Sequence, residues 1–141
     1  MTHRHVIEVR YGECDAQGVV FNAHYLAYVD DAMDHWMRSV AGPDWVAGWD
    51  VMLKRATVLW HAPARWRDHV VIDSGVTRWG RTSFDVVHQL SVLGSDGTGT
   101  GVADVLVTYV SISPIDQRPA PPPAGVVEEL GPVMPLPESL V

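Results

Sequence analysis

The residues with chemical potential are concentrated in one stretch, Tyr11-Gly12-Glu13-Cys14-Asp15-Ala16-Gln17-Gly18-Val19-Val20-Phe21-Asn22-Ala23-His24-Tyr25. Asp15 supplies a carboxylate that can serve as a nucleophile or a general base. Asn22, seven residues later, is a preferred helix N-cap, and an apolar-periodic run follows it. Between the two, Gly18 lets the chain turn through a φ that a Cβ would oppose. The pattern folds an acid back towards the positive end of a helix, where first-turn amides are unpaired and a polarised carbonyl is favoured. Such a pair can hydrolyse an acyl compound. Residue types alone leave a second reading open, in which an Asp before a glycine turn only bonds its own backbone. Cys14 is a competing nucleophile, with His24 as its base. Adjacent residues of an extended segment face opposite sides, so Cys14 and Asp15 should not share a site, and Cys14 reads as a small apolar filler.

The elements that must position this stretch follow from periodicity. A helix is expected from about Ala23 to Val40, with Leu26, Val29, Met33, Trp36, Met37 and Val40 as its buried stripe. Asp31, Asp34, His35 and Arg38 fall on the other side, and Gly42-Pro43 ends the helix. Asp30 points along the apolar stripe, where an unpartnered carboxylate is costly; it must find a donor or line a pocket. Strands are expected at His5–Tyr11, Val51–Trp60, Val70–Trp79, Ser83–Val92 and Val102–Ser113, with residues 44–50 as a loop. The glycine-rich segment 95–101 reads as a hairpin turn, because no Gly-Lys-Ser/Thr helix follows it to cradle a phosphate. His3 and His5 share a strand face but read as exposed terminal residues rather than a metal pair. After Ile115 the run Pro119-Ala120-Pro121-Pro122-Pro123 cannot join a sheet; Val126 to Leu130 suits a short helical turn, and the rest is expected to be loosely held. One long helix and about five hairpin-joined strands give an α+β class, an antiparallel sheet wrapped on a central helix.

Composition narrows the function. The 141 residues fit one domain, and 47% hydrophobic with 19% charged residues is an ordinary globular composition. Seventeen acids against ten bases give a formal charge of −7, which argues against nucleic acid as a partner. A signal-peptide core and an apolar run of membrane-spanning length are both lacking, and a single cysteine suits a reducing cytoplasm. The remaining histidines, His24, His35, His61, His69 and His88, lack ligand-like spacing, so no metal site is expected. The tryptophans at 36, 45, 49, 60, 66 and 79 read as core or interface, with one or two free to line a pocket.

The order Asp15-x-x-Gly18-Val19-Val20-Phe21-Asn22-x-x-Tyr25, followed by a long helix, resembles the active-site segment of hotdog-fold acyl-CoA thioesterases of the 4-hydroxybenzoyl-CoA thioesterase type. The element order after it extends the resemblance over roughly residues 4–116. It implies a hotdog domain over 1–116, with the proline-rich tail 117–141 packed on or beside it. It also implies Asp15 as the group that attacks the thioester carbonyl or activates water, with the Asn22 backbone amide holding the carbonyl oxygen. Gly18, Phe21, Tyr25, Asp30, Arg81 and Ser83 then contact substrate: Asp30 the acyl group, Arg81 (or Arg78) the nucleotide phosphates. Some branches of that family carry a histidine where Asn22 stands, so their second titrating group is missing here. The implied partners are an acyl-CoA or acyl-carrier-protein thioester and a second copy of the chain, as a homodimer or homotetramer, with no cofactor. Two other readings remain, a hotdog dehydratase or hydratase and a non-catalytic acyl-binding protein.

Overall fold

The long helix owes its position to one face that cannot stay in water. In the computed structural model, which describes residues 3–141, α1 spans His24–Ala41 and buries Tyr25, Tyr28, Val29, Ala32, Met33, Trp36 and Met37. Of the expected stripe, Leu26 and Val40 are only half-buried. The buried face is therefore rotated towards the two tyrosines. Gly42 ends α1 at φ 91°, its N–H bonded to Arg38 O at 3.0 Å. The start corrects the sequence reading: Ala23, not Asn22, takes the N-cap position, and no side-chain cap bond forms. His24 N–H already bonds Phe21 O at 2.8 Å, closing a backbone turn that makes the Asn22 side chain unnecessary.

Five strands cover that helix: β1 His3–Glu8, β2 Asp50–Trp60, β3 His69–Trp79, β4 Ser83–Leu93 and β5 Gly99–Ile112. They form one antiparallel sheet in the order β1-β3-β4-β5-β2. Alternation decides the faces: Phe84, Val86, His88 and Leu90 of β4 and Val105, Val107 and Tyr109 of β5 are all buried under α1. β1 lies two residues earlier than the sequence reading at its start and three earlier at its end. The reason is that Val9 turns inward to exchange backbone bonds with Arg67 and Asp68, and Tyr11–Glu13 tighten into a 3-10 turn. Residues 44–50 are not all loop: Trp45–Gly48 form a single helical turn, α2, and Trp49 is buried with Nε1 donating to Ser111 Oγ at 2.7 Å. Met1 and Thr2, part of the expected 1–116 unit, lie outside the described residues.

The tail is held more firmly than its composition suggests. Pro119 bridges Ile112, Met134 N–H bonds Val76 O at 2.9 Å, and helix α3, Ala124–Leu130, buries Val126 and Leu130 in the same core as α1. Ser139 Oγ donates to Asp104 of β5, which also bonds His61. The prolines cannot donate to a ladder, yet two apolar anchors four residues apart on α3 suffice to dock them.

A buried polar row crosses the core. Ser74 of β3 and His88 of β4 are fully buried, with Ser74 Oγ and His88 Nδ1 2.7 Å apart and His88 Nε2 3.3 Å from the Tyr109 hydroxyl. Burial pushes the His88 pKa from 6.5 down to about 3. An unfolded chain would take up that proton near pH 6.5 while the folded one would not, so the stability His88 contributes is complete above pH 6.5 and lost as pH falls towards 3. Urea unfolding is expected to show a midpoint that declines between pH 7 and 5, before carboxylates titrate. In His88→Gln the decline should flatten, and an equal slope in both proteins would refute the assignment.

Candidate active site

The Asp15 segment is a short hairpin. Its neck is closed by Phe21 N–H to Glu13 O at 2.9 Å, by a bridge between Cys14 and Val20, and by Asp15 N–H to Val19 O at 2.8 Å. At the tip Gly18, φ 77°, donates to Asp15 O at 3.0 Å, the left-handed turn that the glycine position forecast. Val19 and Val20 pair outward with Arg65 and Ala64, which fixes the hairpin to the loop after β2. Asp15 is half-buried, and Oδ1 accepts the Gln17 N–H at 2.8 Å. The turn-forming bond weighed against catalysis is therefore present, but it occupies one oxygen; Oδ2 takes no hydrogen bond among the described residues. Cys14 Sγ lies 3.9 Å from Arg10 O, consistent with its facing away from Asp15.

Beside the hairpin is a cavity of about 300 Å³, lined by Val19, Val20, Asn22, Tyr25, Trp60, His61, Ala62 and Pro63. Asn22 lines this cavity, and its N–H makes no backbone hydrogen bond among the described residues. Tyr25 is buried, its hydroxyl accepting Ala64 N–H at 3.3 Å, and it acts as a wall. Phe21 is half exposed and does not line the cavity.

Asp30 lies elsewhere. It lines a separate cavity of about 320 Å³ with Met33, Trp45, Val51, Met52, Leu53 and Tyr109. It finds no donor among the described residues, and desolvation raises its pKa. The stripe reading needs correction: Asp30 is exposed at the rim of this cavity rather than buried on the apolar face of α1. Arg81 and Ser83 sit at the same end of the sheet as Asp30, where Ser83 pairs with Val110 and Leu53 with Tyr109. Val102, bonded to His61 at the Asn22 cavity, is eight residues from Val110 along β5, about 27 Å at ~3.4 Å per residue. One chain thus does not bring Arg81, Ser83 or Asp30 to Asp15. Arg78 is spent on a two-point pair with Asp85, 2.8 and 3.2 Å, and a bond to Ser83 Oγ, whereas Arg81 is exposed and takes no ion pair among the described residues.

Sequence reasoning passed over Glu13. It is 6% exposed, and its oxygens accept from Arg10 N–H (2.8 Å), the Arg10 guanidinium (2.8 and 3.1 Å) and the Tyr28 hydroxyl (2.9 Å), with His24 Nε2 at 3.1 Å. Burial alone would raise its pKa; the Arg10 and Tyr28 bonds overcome that and bring it down to about 2. The histidines singled out as terminal are also engaged. His3 Nε2 is 2.9 Å from His35 Nδ1, and His5 Nε2 is 3.0 Å from Asp31, which ties β1 to α1. Among the described residues no group of three potential ligands can hold a metal ion, and no helix is long and apolar enough to cross a membrane.

The fold has counterparts among known proteins. The model of the family described as thioesterase-like superfamily matches residues 9–130. The acyl-CoA thioester hydrolase YbgC of Escherichia coli O157:H7 is 29% identical over 129 residues, covering 87% of this chain and 91% of that protein. The 4-hydroxybenzoyl CoA thioesterase of Pseudomonas sp. strain CBS-3 superposes with a TM-score of 0.80 at 20% identity, covering 91% of this chain and 98% of that one. A Staphylococcus aureus protein solved in complex with CoA gives 0.83 at 14%, over 99% and 92% of the two chains. These likenesses establish the hotdog fold.

Proposed function

Because this chain belongs to the thioesterase-like superfamily, we propose that it hydrolyses an acyl-CoA thioester to a free acid and CoA at the Asp15 hairpin. The Asp15 carboxylate attacks the carbonyl carbon or takes a proton from the water that does, and the Asn22 amide holds the developing oxyanion. One such donor contributes ~3–4 kcal/mol to the transition state. The observation that carries the reading is Asn22, its N–H without a backbone partner among the described residues, lining a largely apolar cavity to which the Asp15 hairpin contributes Val19 and Val20. Relatives named as acyl-CoA and hydroxybenzoyl-CoA thioesterases support the substrate class.

Two copies complete the site. The Asn22 and Asp30 cavities flank the free edge of β2 at opposite ends, Trp60 lining one and Leu53 the other. Antiparallel pairing of two β2 edges about a two-fold axis near Ala56 would set the Asp30 cavity of one protomer beside the Asp15 hairpin of its partner. Met52, Leu53 and Trp60 are exposed near the two ends of that strand in the single chain, with Lys54, Arg55 and Thr57 exposed between them. The same rotation moves the Arg81 turn towards the partner's cavity, where its guanidinium can meet CoA phosphates.

A hydratase would need a paired histidine and acid in the substrate cavity. His24 and Glu13 are paired, but they line a different cavity of about 410 Å³ with Ile7, Glu8 and Tyr28. A panel of acetyl-, hexanoyl- and benzoyl-CoA, with thiol release as readout, and crotonyl-CoA, with hydration as readout, tests the proposal. Thiol release without hydration is expected. Binding of these thioesters without turnover would make this a non-catalytic acyl-binding protein.

A further inference from the structure

The Glu13 carboxylate takes five hydrogen bonds, more than any other side chain among the described residues. Its carboxylate reaches His24 and Tyr28, in the first two turns of α1, while its backbone carbonyl accepts Phe21 N–H, one residue before Asn22. Among the described residues no other hairpin side chain bonds α1. Three cross-links between Glu13 and Phe21 close the hairpin; Val19 and Val20 tie its far strand to Arg65 and Ala64, and the Glu13 carboxylate ties its near strand to α1. We propose that Glu13 is a positioning residue for hydrolysis: its buried carboxylate ties the Asp15 hairpin to α1 and thereby sets where the Asp15 oxygen stands relative to the Asn22 amide. The inference rests on the reading of Asp15 as the reacting carboxylate.

The charge matters as well as the shape. Arg10 N–H, the Arg10 guanidinium and the Tyr28 hydroxyl all present donors to the two oxygens. A glutamine would place an NH₂ against some of those donors, so one side of the anchor must open. Reacting groups tolerate little of this, since a displacement of ~1 Å can cost ~100-fold in rate.

Glu13→Gln, Tyr28→Phe and the double variant test it in the full-length protein. With hexanoyl- or benzoyl-CoA, Glu13→Gln should lower kcat roughly 10–100-fold with KM held within about twofold, the split for an effect on reacting geometry. Tyr28→Phe should lose less, and the double variant should lose no more than Glu13→Gln, because Tyr28 acts through Glu13. Independently of turnover, the Gln17 and Asn22 amide resonances should shift in Glu13→Gln while those of β4 stay. A lower melting temperature with unchanged kcat, or with unmoved Gln17 and Asn22 amides, would overturn the positioning role. Should Glu13→Gln not fold, the kcat and amide changes must appear in Tyr28→Phe alone, and their absence is equally fatal. An active Asp15→Asn protein would instead sink the Asp15 reading, since the amide shifts would still report the anchor.

Discussion

Asp15→Asn is expected to leave the fold in place and to lower thioester hydrolysis at least ~100-fold, the low end for a positioned acid–base group. The substitution keeps the shape and the Oδ1 acceptor that bonds Gln17 N–H, so the hairpin retains its turn. What disappears is the second, unbonded oxygen as a base or nucleophile. Cys14→Ala is the control and should retain most activity, because the thiol lies against Arg10 O. Steady-state rates and far-UV circular dichroism on the two variants decide the matter. An inactive alanine variant beside an active asparagine variant would transfer the chemistry to the thiol.

The second large effect is recovery of activity on mixing. The wild-type chain is expected to sediment as a homodimer or larger at micromolar concentration, since β2 is an open edge of the five-stranded sheet and exposes Met52, Leu53 and Trp60. If each site takes Asp15 from one protomer and Asp30 from the other, Asp15→Asn and Asp30→Ala homodimers both lose activity. In a heterodimer of the two variants one site regains both wild-type carboxylates and the other loses both. Random exchange makes half the dimers mixed, each with one working site of two, so the mixture should approach about a quarter of wild-type activity. A mixture that stays at the mean of its parents, or a fully active monomer, defeats the shared site.

Much of this was legible in the residues because it is local. Apolar spacing of three and four determined α1, glycine at 42 determined its end, and alternation determined which side chains of β4 face the helix. The Asp15-to-Asn22 hairpin was equally readable, since Gly18 permits the positive φ that the turn requires. The family motif narrowed α+β to hotdog.

What only the tertiary structure decided depends on residues far apart in sequence. Glu13 looks like a solvated loop carboxylate until Tyr28, fifteen residues on, arrives from the helix to bury it. Ser74, His88 and Tyr109 sit on three strands whose adjacency exists only once the sheet order is set. Periodicity likewise placed Asp30 on the apolar stripe, not at a rim, and could not say which cavity it would line. That required the β2 edge, which separates Asp30 from Asp15 within one chain. Even the tail follows this division: its prolines declared that it would not join the sheet, and the docking of Val126 and Leu130 was decided by space left beside α1. Local backbone preference reports which face a residue turns; which groups that face meets is a property of the folded whole.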